Sequence, residues 1–322
     1  MPQAMFSTAV LVAIIPVFLV MGMGFLFRMR RWMPESLEPG FMGLILNLLA
    51  PCLIFTNVAR NPALSIPGTA GWTIFLGAAF ILAGFAVSYL VGRLIGLSRG
   101  HGLRTFTVSA GVHNYGFVAL PVIAALFPGE SGPFGLVFLH GLGVELAMWT
   151  VGLLIFGSGQ SPWRMLINGP CLAVLFSLLA NFTGLGFHVP GVVFKALEML
   201  GQCSIPMSLF IIGATIAGLC DRDILQEAWR SSIGGCIARL GLIPLVMLAA
   251  AKWLPLSMDL RKLIVVEAGM PAALMPIMLA RIYGGRAATA AQVVIATTVV
   301  GLLSSPVVIG FGLKWLGIAG KL

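Results

Sequence analysis

Along this chain apolar residues come in long blocks, and polar residues gather in the short gaps between them. Ten blocks are visible, at 6–28, 41–59, 71–97, 103–127, 133–157, 164–184, 192–219, 230–254, 260–283 and 287–316. A bilayer core about 30 Å thick takes roughly 20 apolar residues of helix, so each block is long enough to cross once. The pattern predicts an all-α integral membrane protein with ten transmembrane helices and leaves no stretch for a soluble domain. No basic residue precedes the first block, and Arg28, Arg30 and Arg31 follow it. That arrangement marks a retained first helix rather than a cleaved signal peptide.

Two blocks depart from the pattern in the same way. Helix four reads SAGVHNYGFVALP over 109–121, and helix nine reads EAGMPAALMP over 267–276. Unpaired backbone in hydrocarbon costs several kcal/mol per group, so such breaks persist only where they line a cavity or are buried in protein. Paired breaks at corresponding positions point to a transporter binding site. The correspondence has support elsewhere. Asn47-x-x-x-Pro51-x-x-x-Phe55 in helix two recurs as Gln202-x-x-x-Pro206-x-x-x-Phe210 in helix seven, at an offset of 155. Ser109-Ala110-Gly111 recurs as Glu267-Ala268-Gly269, at an offset of 158. The chain then divides into five-helix repeats at 1–158 and 159–322. Because five is odd, the second repeat enters the membrane from the opposite side, which makes the pair inverted repeats.

At such breaks half-helix N-termini present free N–H groups and partial positive charge, while unwound carbonyls can hold a cation. His113 can titrate there, and Asn114 can both donate and accept hydrogen bonds; both can also bond a neighbouring helix. Tyr115 suits an interfacial aromatic or a substrate contact. Asn47 and Gln202, each four residues before a proline, can offer amides to the site or pack between helices. Charge inside the membrane is rarer. Glu267, Glu145 and Arg239 lie about seven, twelve and nine residues into their helices. One carboxylate can bind a coupling ion or proton, with Arg239 neutralising the other or meeting an anionic substrate. A structural Glu–Arg pair is the alternative. His140, five residues before Glu145, does not share its helix face.

Composition removes other classes. The chain is 59% hydrophobic and 9% charged with a mean hydropathy of +1.04, which excludes a soluble globular domain. The net charge of +9 is divided between two membrane faces, so its setting is membrane lipid and no nucleic-acid partner is implied. Gaps on one side carry 11 Lys and Arg, including Arg164, Arg222 and Arg230, against 7 on the other, including Lys321. The excess places both termini outside the cytoplasm, in the inner (plasma) membrane. Asp221, Asp223 and Glu227 with their basic neighbours read as a solvated cytoplasmic loop. Cys52, Cys171, Cys203, Cys220 and Cys236 lack CxxC or metal spacing and read as small buried residues. No Walker loop, HExxH or GxSxG pattern occurs. Neither ATP-driven transport nor an enzyme is supported, and no cofactor or metal is expected. Active transport would draw on a gradient, with H⁺ or Na⁺ as the coupling ion, and a gradient-driven uniporter stays open beside it.

Several of these segments resemble the auxin efflux carrier family, the group that includes plant PIN-type carriers and bacterial dicarboxylate permeases. They are LNLLAPCLIF (46–55), HNYGFVALPVIAALFPG (113–129), SIPMSLFIIGATIAGL (204–219), EAGMPAALMPIMLARIYGG (267–285) and SSPVV (304–308). The resemblance implies that helices four and nine cross at their broken middles. It also implies a scaffold of helices one, two, six and seven, and a mobile transport domain of helices three to five and eight to ten that moves like an elevator. Asn114 and Pro121 match the crossover motif of helix four, and Pro271 matches the crossover proline of helix nine. Family substrates are small organic anions. The long cytoplasmic loop of some plant members is absent, which weakens auxin itself as the substrate. Family members often dimerise through the scaffold, so a homodimer stays open. Glu267-x-Gly269 is also similar to the ExG stretch with which the related bile-acid/sodium symporters bind Na⁺. Met270-Pro271 replaces the Gln-Asn expected next, which puts a full sodium site in doubt.

The expected function is a secondary transporter of a small carboxylate anion by alternating access. Asn114, His113, Tyr115, Asn47, Gln202 and the N–H groups near Pro121 and Pro271 would meet the substrate, with Glu267 or Glu145 coupling the ion. A sodium-coupled symporter and a non-transporting membrane sensor are the readings kept beside it.

Overall fold

The computed structural model describes residues 2–64, 67–156, 169–219 and 229–318. The proposed repeat boundary at 158/159 lies outside the described residues, as do Arg164, Cys220, Asp221, Arg222, Asp223, Glu227 and Lys321. The described chain is helical: α1 (Pro2–Met29), α2 (Glu35–Val58), α3 (Pro67–Leu94), α4 (Leu103–Gly111), α5 (Ala119–Leu126), α6 (Ser131–Phe156), α7 (Gly169–Thr183), α8 (Gly191–Leu219), α9 (Trp229–Trp253), α10 (Met258–Ala268), α11 (Met275–Ile282) and α12 (Ala287–Trp315). Seven of these, α1, α2, α3, α6, α8, α9 and α12, carry spans long and apolar enough to cross a membrane. The shorter α7 is apolar as well.

The two predicted segments 103–127 and 260–283 are not continuous helices. Each is a pair of half-helices, α4 with α5 and α10 with α11, separated by 112–118 and 269–274. Pro121 lies in the first turn of α5 rather than in the gap, where its missing N–H is one the helix could not use anyway. Outward-facing Leu19, Phe75, Leu90, Leu303 and Val307 give the helices an apolar exterior suited to lipid.

Lipid offers no hydrophobic force between helices, so close packing rests on small residues. On α1 and α8, a Cβ added at Gly24 would lie 1.9 Å from the Phe210 carbonyl oxygen, and one at Gly213 would lie 1.8 Å from that of Met21. Gly77 and Gly143 do the same for α3 and α6, against the carbonyls of His140 and Ile74. These two seams set backbone against backbone and hold His140 at a fixed height. Three helices also contain a π-turn, at Ile45–Leu49, Met148–Gly152 and Ile237–Leu242. Those in α2 and α9 directly precede Pro51 and Pro244, whose rings would otherwise meet the carbonyl four residues back. The turn in α9 carries Arg239.

Gly213→Ala is expected to destabilise the protein by about 1–3 kcal/mol, because backbone rather than a flexible side chain must yield. Gly22→Ala, where the new methyl meets open space, is expected to leave stability unchanged or raise it slightly. Thermal unfolding of the purified variants checks both.

Candidate functional site

The two gaps pair with each other. The Asn114 N–H donates to the Pro271 carbonyl and the Ala273 N–H to the Val112 carbonyl, both at 2.9 Å, so that His113 and Ala272 form an antiparallel bridge. Extended backbone thus finds in the opposite gap the partners a helix would otherwise supply. Remaining groups are met from α12: the Ala272 N–H donates to Thr297 Oγ1 at 3.2 Å, and Ser305 Oγ donates to the Gly269 carbonyl at 2.6 Å. Asn114 Oδ1 accepts from the N–H groups of Phe117 (3.2 Å) and Val118 (3.4 Å), capping the approach to α5.

Behind the crossing lies a sealed polar cluster. Glu267, at the end of α10, is fully buried. Its Oε2 sits 3.3 Å from His113 Nε2 and 2.8 Å from His140 Nδ1, the second contact without hydrogen-bond geometry. Arg239 is also fully buried. Its Nη2 donates to the carbonyls of Glu267 (3.4 Å) and Ala268 (3.3 Å) and approaches Met247 Sδ at 3.6 Å. The guanidinium therefore meets the negative end of α10, the favourable place for a cation. His113, His140 and Glu267 bring their donor atoms within 4.8 Å of one another, the one such group found among the described residues. A divalent metal there would face the fixed charge of Arg239.

In front of the crossing is a cavity of about 420 Å³. Val112 to Phe117 and Ala273 to Met275 line it from the two gaps, Glu145 from α6, and α2, α7 and α8 from across. It extends to Glu35 and Glu38 at the start of α2. Tyr115 donates its hydroxyl to Glu145 Oε1 at 2.7 Å, and the Trp149 indole N–H donates to Oε2. Among the described residues, no Lys or Arg lines the cavity.

The chain matches the family described as "Membrane transport protein" over residues 9–163 and 157–309. It belongs to that family, the auxin efflux carriers. An uncharacterized transporter of Methanothermobacter thermautotrophicus is 26% identical over 274 residues, covering 83% of this chain and 86% of the relative. An uncharacterized transporter of Methanocaldococcus jannaschii is 22% identical over 253 residues, covering 74% and 78%.

In this auxin efflux carrier relative the sequence-predicted residues divide into three groups. His113, Asn114, Tyr115 and Glu145 line the cavity. Pro271, Glu267 and Arg239 lie buried behind or within the crossing and do not line it. Asn47 and Gln202 are corrected: both are exposed on the outer surface and absent from the cavity lining. A helix apolar on every side gives no clue to which face a lone amide takes. His140 does not share a helix face with Glu145, yet it turns to Glu267 on another helix. Thr297 and Ser305 carried no local signal at all.

Asn114→Ala is expected to cost about 1 kcal/mol in thermal stability through loss of the cap. Asn114→Asp keeps the capping oxygen and is expected to recover most of that loss.

Proposed function

We propose that this membrane transport protein is a secondary transporter that moves a small organic anion, with a carboxylate head and an apolar body, by alternating access at the crossing. The observation that carries the reading is the pair of broken helices bonded to each other on the wall of a cavity. Phe117 and Leu120 at the start of α5, and Leu274, Met275 and Ile277 at the start of α11, line that cavity. Two half-helix N-termini thus border the space where an anionic head would sit. No acceptor among the described residues pairs with the Nδ2 of Asn114, which makes it a donor for that head. The apolar remainder of the lining suits the substrate's body.

We take the architecture to be ten membrane-crossing helices in two inverted five-helix repeats, counting α4–α5 and α10–α11 as one crossing each. Leu46, Ala50, Leu53 and Ile54 of α2, Pro170 and Val174 of α7 and Ser204 and Ser208 of α8 lie on one wall, and the gaps with α6 lie on the other. That division matches a scaffold of α1, α2, α7 and α8 facing a moving body, as an elevator requires. Arg28 pairs with Glu35 at one end of the cavity, so by the excess of basic residues we assign that end to the cytoplasmic face.

Glu145 bears on the charge balance. A carboxylate substrate beside a carboxylate side chain is repelled, so the anion enters with a proton. A neutral or cationic substrate is the second reading, favoured by the lack of a basic lining residue among the described residues.

In proteoliposomes, Asn114→Ala and Asn114→Asp are both expected to lower carboxylate uptake at least tenfold, while Asn47→Ala transports as wild type. Equal uptake by all four proteins would sink the assignment. Uptake of organic amines in place of carboxylates would establish the second reading.

A further inference from the structure

Unwound carbonyls and half-helix C-terminal ends are where secondary transporters hold their coupling cations. In this protein that position at the end of α10 already contains a cation. Arg239, carried in by the π-turn of α9, donates to the carbonyls of Glu267 and Ala268. Arg239 and Glu267 together sum to no net charge, and neither reaches the cavity. Among the donors that converge on Glu267, only His113 lies on the cavity wall.

We propose that Arg239, Glu267, His113 and His140 form a sodium-independent coupling site. The guanidinium permanently fills the cation position at the end of α10, and the two imidazoles carry the proton that travels with the substrate. The proposal rests on the transport reading above and adds the identity of the coupling ion and the atoms that hold it.

The surroundings favour a proton over a metal ion. Sodium needs several oxygen ligands, and the carbonyls that would supply them are held by Arg239. A divalent cation would add two charges beside a buried guanidinium, whereas a proton adds one, next to a carboxylate with one oxygen, Oε1, still unpartnered. His113 Nδ1 and His140 Nε2 are likewise buried without partners, so the ligand-orienting bonds that accompany a metal-bound imidazole are missing. A proton can pass from cavity to cluster through His113, whose Nε2 faces Glu267 at 3.3 Å, and on to His140, whose ring centroid lies 5.7 Å from that of His113. Charged and titratable groups reach the cluster from several elements: Arg239 from α9, Glu267 from α10, His140 from α6, and Tyr115 with Glu145 behind it on the cavity side. From α3 the neighbour of His140 is Phe80, and α12 supplies the hydroxyls of Thr297 and Ser305. Farther back along α10, Lys262 is engaged with Glu130 at 2.5 Å.

The test uses the purified full-length chain. Thermal unfolding midpoints are compared in sodium chloride and choline chloride at equal ionic strength, and are expected to coincide. Arg239→Ala is expected to lower the midpoint and to regain part of it with millimolar guanidinium, but not with choline. With only four histidines in the chain, nitrogen-labelled imidazoles can be assigned by single His→Gln changes and followed by NMR across the whole pH range in which the protein stays folded. His113 and His140 are expected to take up one shared proton, and Glu267→Gln to alter both titrations while leaving the exposed His101 and His188 unchanged.

Three results would each overturn the site. They are a higher wild-type midpoint in sodium than in choline, stabilisation by micromolar zinc that His140→Gln abolishes, and imidazoles that bind no proton across that range. A folded Arg239→Ala protein that ignores guanidinium would remove the cation position. Should that variant not fold, the wild-type salt comparison and the titration still decide. None of these readouts needs flux, so a titrating, sodium-indifferent cluster without carboxylate uptake would sink the carboxylate reading and leave the site standing.

Discussion

Backbone N–H and C=O groups cannot be left unpaired in hydrocarbon, and the centre of this protein is organised by that constraint. Each interrupted helix exposes peptide groups that no neighbouring turn can satisfy. The partners available at the same depth are those of the other interruption, so the two gaps join through Asn114 with Pro271 and Val112 with Ala273. Polar residues then follow the exposed backbone: Asn114 caps one gap, while Thr297 and Ser305 of α12 serve the other. Cavity and buried cluster lie on opposite sides of this junction because the junction separates them.

The two membrane carboxylates have different surroundings and so different capacities. Glu145 sits on the cavity wall, held by a phenol and an indole that can only donate to it in this arrangement. Glu267 is enclosed by two imidazoles and a guanidinium, none of them in water. A lone carboxylate enclosed like Glu267 would be strongly disfavoured. Arg239 offsets it while also stabilising the end of α10, which makes one side chain answer both a charge and a helix dipole.

Much of the helical layout was legible because hydropathy and length are local properties. The expected segments 192–219 and 287–316 fall within a residue of Gly191–Leu219 and Ala287–Trp315. The breaks were visible as Gly, Pro and His-Asn inside apolar sequence, but their extent was not, since it depends on bonds between residues in different halves of the chain. Site residues followed the same rule. His113, Asn114 and Tyr115 were recognisable from the break itself, whereas His140 had to be judged against a partner on a distant helix. Asn47 and Gln202 looked equivalent to site residues because a uniformly apolar helix does not disclose which way it faces. Family membership reached the sequence through short motifs around the breaks, where the backbone constraint limits the residues that fit.

The bonds that join the two gaps run from main chain to main chain. Side chains at 112–115 and 272–274 are therefore not what ties the crossing together, although several of them face the cavity. With main-chain bonds of this kind, side chains facing the cavity can change while the junction beneath them stays intact. The lining is therefore free to vary locally without disturbing the fold.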